Sequence, residues 1–100
     1  MKEINQHIER IKTLCDSYDV RALFAFGSVL TDKFRPESDV DLVIDIADKD
    51  PFSYSEKYFN IKSELEQMFK RDIDLLEQKE IRNPYLKAEI DKTKVLIYGK

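Results

Sequence analysis

The chain has 100 residues, with 17 basic and 20 acidic side chains and a net charge of −3 at pH 7. This length predicts a single domain over residues 1–100, without room for a second, substrate-binding domain. The acidic balance argues against general nucleic-acid binding, and no apolar run approaches the roughly 20 residues that span a membrane. The N-terminal residues lack the apolar segment of a signal peptide. The single cysteine, Cys15, excludes an internal disulfide and favours a cytoplasmic location.

The first half of the chain reads as a helix followed by two strands. Apolar residues at three- and four-residue steps predict a helix over residues 2–18. The run VRALFAF, residues 20–26, predicts a strand buried on both faces. A short helix or turn is expected over residues 28–33, and a proline-containing loop over 35–38. The apolar run VDLVIDI then predicts a second strand over residues 40–46.

A second helix is expected over residues 53–70. Ser53 is its predicted N-cap, because Glu56 follows three residues later in a capping-box pattern. Aromatic residues early in this helix could stack on a base, but their helical spacing favours core packing. They are Tyr54, Tyr58 and Phe59.

The last third of the chain reads as strand, helix and strand. DIDLLE, residues 72–77, predicts the third strand, and the Asn-Pro pair at 83–84 predicts a helix start. Leu86 and Ile90 are expected to face the core from that helix. Residues 94–98, KVLIY, predict a final strand that could form a sheet edge and a contact in a homo-oligomer. The order of elements predicts an α/β (α+β) fold with a small mixed sheet of about four strands against helices.

Acidic residues stand at the start of two of these strands. Asp39 and Asp41 flank Val40, and their side chains would share one face about 7 Å apart. Asp72 and Asp74 begin the third strand in the same way. If the strands are neighbours, three or four carboxylates converge at one edge. Such a cluster suits two Mg²⁺ ions, or Mn²⁺, which support phosphoryl or nucleotidyl transfer.

Gly27 and Ser28 follow the first strand directly. Glycine at this point permits a positive φ or a close approach of the backbone to a ligand. Backbone N–H groups at a helix start bind anions, and Ser28 adds a hydroxyl donor. We therefore expect this pair to bind phosphate groups.

The pattern of Gly-Ser, ten residues, then Asp-x-Asp resembles the signature of the DNA polymerase β-like nucleotidyltransferase superfamily. The short length is similar to its minimal nucleotidyltransferase (MNT) branch, and the resemblance covers nearly the whole chain. It implies a fold like the palm of polymerase β. It also implies that Asp39 and Asp41 are metal ligands and catalytic residues, and that Gly27 and Ser28 bind the triphosphate. The family's V-D-L pattern aligns with residues 73–75 and makes Asp74 the third carboxylate, with Asp72 as the weaker candidate.

The resemblance also implies a reaction and a partner. The expected reaction is Mg²⁺-dependent transfer of AMP from ATP, or of a nucleotide from another NTP, to a hydroxyl acceptor. MNT proteins of this size are typically paired as antitoxins with a helical HEPN toxin. The resemblance implies antitoxin action by AMPylation of a tyrosine in that toxin.

Several other interpretations remain open. Asp39 could cap the strand, Asp41 could pair with Lys33 or Arg35, and Asp72 could be a solvated edge charge. The segment after Ser28, VLTDKF, lacks the second glycine and the arginine that many family members carry. This departure favours a non-catalytic antitoxin that neutralises its partner by contact. A subunit of a split antibiotic nucleotidyltransferase is a third hypothesis.

Overall fold

The computed structural model describes residues 2–31 and 38–99, and its elements follow the predicted order. Short 3₁₀ helices follow the first and third strands, at Gly27–Leu30 and Gln78–Glu80. Within the described ranges, no helix combines the length and the apolar character needed to cross a membrane. The helices are α1 (Lys2–Asn5), α2 (Ile8–Ser17), α3 (Pro51–Phe69) and α4 (Pro84–Thr93). The strands are β1 (Val20–Phe26), β2 (Val40–Ile46), β3 (Ile73–Glu77) and β4 (Val95–Gly99).

The described strands form one four-stranded mixed sheet in the order β3-β2-β1-β4. β2 and β3 run parallel, whereas β1 is antiparallel to both β2 and β4. The predicted small mixed sheet is confirmed, and β4 lies at one of its edges. The parallel pair is connected through α3, as a parallel connection requires a crossover.

The core lies on one face of this sheet. Alternate residues of β2 (Val40, Leu42, Ile44 and Ile46) are buried there against side chains of α1, α2 and α3. Cys15 is also buried in this core. The remaining β2 residues point to the opposite face. α4 crosses that face, where its buried Ile90 lies near Val43.

The predicted helix over residues 2–18 is interrupted. α1 ends at Asn5 and α2 begins at Ile8. The N–H of His7 bonds the carbonyl of Ile4, three residues back, so the hydrogen-bond ladder tightens at the break. The ring of His7 packs edge-on against Phe69 of α3, 5.0 Å between ring centroids. This tertiary contact accompanies the break.

The predicted N-cap of α3 is wrong. The helix begins at Pro51, with Asp50 at the N-cap position. Proline has a fixed φ suited to the first helical turn, and its missing N–H costs nothing there. Ser53 lies inside the helix, and its hydroxyl donates to the carboxylate of Asp48.

Two predicted core residues are exposed. Phe59 is 65% exposed and packs edge-on against Tyr58, whereas Tyr54 is buried as expected. Leu86 is 44% exposed, because it lies in the first turn of α4 between two open grooves. The Asn83 cap is confirmed, since its side chain accepts hydrogen bonds from the next turn.

The outer edge of β3 is closed by two side chains of α3. The hydroxyl of Tyr58 donates to the carbonyl of Leu75 at 2.6 Å. The N–H of Ile73 donates to the carboxylate of Glu66 at 3.3 Å. These contacts satisfy backbone groups that an edge strand otherwise presents for pairing.

Replacing Tyr58 with phenylalanine should lower the free energy of unfolding by about 1 kcal/mol, because the partly buried Leu75 carbonyl loses its donor. Chemical denaturation of both proteins measures the difference. The control is Tyr85→Phe, the same chemical change at a side chain that is 87% exposed. Equal effects of the two substitutions would contradict the role given to the Tyr58 hydroxyl.

Candidate functional site

The parallel pairing of β2 and β3 brings the predicted carboxylates to one end of the sheet. Asp41 and Asp74 are register partners, so their side chains lie on the same face. This is the face opposite the main core. Asp39 precedes β2 by one residue and is exposed, as is Asp74, whereas Asp41 is partly buried. The condition set for a shared acidic site, that the two strands are neighbours, is met.

Gly27 lies directly against Asp41. It follows Phe26, the β1 residue paired with Asp41, and its φ of +78° is in the left-handed region. A Cβ atom at this position would lie 2.5 Å from Oδ2 of Asp41. Both the expected positive φ and a close approach therefore require glycine here. The approach is to the carboxylate of Asp41.

Ser28 follows in a 3₁₀ helix of only four residues, Gly27–Leu30. The short helix or turn expected here is present. Its macrodipole is small, because that dipole sums over aligned peptide units. Any phosphate binding at this point would therefore depend on individual backbone N–H groups.

The ionised form of Asp41 is disfavoured by its surroundings. Its burial, followed by the charges of Asp74 and Asp39, raises its pKa above the ordinary value. The raised pKa shows that the three carboxylates interact, and that ionised Asp41 is destabilised by its surroundings. A bound cation would reverse this effect.

The chemistry of these residues fits a hard divalent cation, since carboxylate oxygens are the ligands that Mg²⁺ and Mn²⁺ prefer. Their arrangement is open. Within residues 2–31 and 38–99, no three His, Cys, Asp or Glu side chains form a ready group for a metal ion. Mutual repulsion favours such separation of carboxylates. Asp39, Asp41 and Asp74 are thus suited to a metal by type and position, but do not surround one point.

The other acidic candidates have structural contacts. Asp72 is exposed, and its carbonyl accepts the N–H of Val40 at 3.2 Å. Asp45, further along β2, forms a 3.1 Å ion pair with Arg21. The proposed partners of Asp41, Lys33 and Arg35, lie outside the described residues.

Two features of the site were missed by sequence reasoning. Arg71 donates from Nη1 to the carbonyl of Ser38 at 3.1 Å, next to Asp39. The second feature is an apolar groove of about 500 Å³ between α4 and the start of the 3₁₀ helix. Its lining includes Gly27 and Leu30 on one side and Leu86 and Ile90 on the other.

This sheet, with paired aspartates beside a glycine turn, agrees with the fold expected from the sequence. Residues 9–100 match the polymerase β nucleotidyltransferase family. A Methanocaldococcus jannaschii protein, named as a candidate protein adenylyltransferase, is 34% identical over 87 residues. The match covers 87% of this chain and 84% of that protein. The chain therefore belongs to the polymerase β nucleotidyltransferase family.

Solved structures agree on the fold. A structure described as a minimal nucleotidyltransferase aligns with a TM-score of 0.76 at 19% identity, covering 94% of this chain and 92% of its own. A complex of tri-AMPylated Shewanella oneidensis HEPN toxin with MNT antitoxin aligns with a TM-score of 0.65 at 17% identity. That alignment covers 96% of this chain and 72% of the matched one. The fold expected from the MNT resemblance is confirmed.

Replacing Asp41 with asparagine should stabilise the metal-free protein at pH 7 by about 2 °C in the thermal midpoint, because it removes a repelled charge. A raised native pKa means that the folded protein holds the proton more tightly than the unfolded chain. The destabilisation is therefore present above the native pKa and disappears as the pH falls below about 4. Thermal melts from pH 8 to pH 3 measure the difference.

Asp45→Asn is the matched control for this prediction. Asp45 lies on the same face of β2 but is attracted by Arg21, so its replacement should lower the midpoint slightly. A lower midpoint for Asp41→Asn at pH 7, or a difference that does not change with pH, would contradict the repulsion.

Replacing Gly27 with alanine should cost about 1–2 kcal/mol of stability through the positive φ, and should also turn the carboxylate of Asp41 away. Gly99→Ala is the control. Its φ is +95°, and a Cβ there would lie 2.1 Å from the carbonyl oxygen of Arg21. Both variants should be destabilised in denaturation, but only Gly27→Ala should weaken Mn²⁺ binding in a titration. Equal Mn²⁺ binding by the two variants would contradict the Gly27–Asp41 contact as a functional constraint.

Proposed function

We propose that the protein is an Mg²⁺-dependent protein adenylyltransferase and an antitoxin. It transfers AMP from ATP to a tyrosine of a HEPN-type toxin and thereby neutralises it. The observation that carries the proposal is the pairing of Asp41 with Asp74 beside Gly27, in a chain of the nucleotidyltransferase family. The name of the M. jannaschii relative and the AMPylated toxin in the S. oneidensis complex support the choice of a protein acceptor.

The reaction is an in-line displacement at the α-phosphorus of ATP. The tyrosine oxygen forms a bond to this phosphorus, the bond to the bridging oxygen of the β-phosphate breaks, and pyrophosphate leaves. The phenolic proton is released in the same step. The divalent ions, when bound, neutralise charge on the phosphates and on the attacking oxygen.

The residues of the chain bind and orient the two substrates. Gly27 and Ser28 would hold the triphosphate through backbone N–H groups. Asp39 and Asp41 on β2, together with Asp74 on β3, would hold the metal ions. Asp74 is exposed on an edge strand, so an acceptor on a second protein could reach it, and its carboxylate would accept the phenolic proton. Catalysis then depends chiefly on positioning and charge neutralisation.

The test is the intact mass of the HEPN partner after incubation with this protein, ATP and Mg²⁺. We expect mass increases in steps of one AMP, located on tyrosine by peptide mapping. The control is the Asp39→Asn, Asp41→Asn double variant, which should lose at least about 100-fold in transfer rate, since even outer-shell partners of metal ligands contribute 10–100-fold. Transfer that persists in the double variant would refute the assigned site.

A second candidate is neutralisation by contact alone. Tyr85 and Leu86 are exposed large side chains at the start of α4, and Leu86 lines the groove next to Gly27. Exposed apolar groups of this kind mark interaction surfaces. A stable complex that gains no mass with any nucleotide, and that the double variant still forms, would favour this function over adenylyl transfer.

A further inference from the structure

We propose that Arg71 is a positioning residue that fixes Asp39 for metal binding. The inference rests on the proposed function only in taking Asp39 as a metal ligand. Arg71 lies at the turn between α3 and β3, 32 residues after Asp39 in sequence. It contacts the segment that leads into β2, where its Nη1 donates to the carbonyl of Ser38.

Asp39 lies just before the first residue of β2 and is exposed. The residues on either side of it are tethered. The carbonyl of Ser38 accepts from Nη1 of Arg71 at 3.1 Å, and the N–H of Val40 donates to the carbonyl of Asp72 at 3.2 Å. The backbone of Asp39 is therefore held from both sides by consecutive residues, 71 and 72.

The turn that carries Arg71, between α3 and β3, is fixed by hydrogen bonds. Lys70, just before Arg71, ends α3 in the left-handed conformation, with its N–H bonded to the Glu66 carbonyl at 2.8 Å. The carboxylate of the same Glu66 accepts a hydrogen bond from the N–H of Ile73, two residues after Arg71. The half-buried Arg71 thus projects from a turn that is bonded on both sides.

The two tethers are different in kind. The Val40–Asp72 bond joins two backbones, so a substitution of Arg71 leaves it in place. The Ser38–Arg71 bond depends on the side chain of Arg71, so a substitution of Arg71 removes it. Without it, the carbonyl of Ser38, the residue before Asp39, loses its hydrogen bond to Arg71. Asp39 then loses orientation relative to Asp41 and Asp74, whereas the β2–β3 ladder remains. Orientation of ligands by outer-shell hydrogen bonds is typically worth 10–100-fold in metal affinity.

The test is a titration of the nucleotide-free protein with Mn²⁺, followed by electron paramagnetic resonance of the free ion. Arg71→Ala should weaken Mn²⁺ binding by about 10-fold. Arg71→Lys, which can place one donor near the Ser38 carbonyl, should recover part of the loss. Arg82→Ala is the matched control: it removes an exposed arginine whose 3.8 Å ion pair with Glu80 lies away from Asp39. It should bind Mn²⁺ like the unaltered protein.

A double-mutant cycle separates positioning from general damage. If Arg71 acts through Asp39, Arg71→Ala should have no further effect on Mn²⁺ binding in the Asp39→Asn background. It should keep its effect in the Asp74→Asn background. Equal losses in both backgrounds, or unchanged Mn²⁺ binding in folded Arg71→Ala, would overturn the proposal. Because no acceptor or ATP is present, these results stand apart from the adenylyl-transfer assay, whose failure would refute the proposed function instead.

Discussion

The site depends on the register between β2 and β3. Because side chains alternate along a strand, a slip of one residue would turn Asp41 into the core and Val40 and Leu42 out of it. Burial of those apolar residues against the helices therefore sets the register that places Asp41 beside Asp74. The carboxylates need no contacts of their own to hold them together. The hydrophobic core thus holds in place carboxylates that repel one another.

That repulsion is retained within a small and otherwise regular fold. Asp41 is partly buried, its pKa is raised, and Gly27 lies where any larger residue would displace its carboxylate. Each of these features works against the stability of the isolated chain. Natural proteins keep such features where function requires them. These features, at one β2 position, are the physical argument for the proposed site at this end of the sheet.

The strands and the shared position of the acidic residues could be predicted from sequence. β1 and β2 are short apolar runs with clear boundaries, and Asp-x-Asp at a strand start determines which face both side chains share. The features that were missed depend on contacts between distant parts of the chain. The break at His7 accompanies a ring contact with Phe69, and the Ser38–Arg71 bond joins residues 33 apart. Such contacts cannot be predicted from local sequence patterns.

The closed edge of β3 limits how a protein can approach the aspartates. Many proteins recognise extended peptides by adding them as a further strand to a sheet. At β3 the N–H of Ile73 and the carbonyl of Leu75 are already bonded to Glu66 and Tyr58, so a peptide that paired with this edge would have to break both bonds. A folded surface, such as a helix or a loop, can approach Asp74 without breaking them.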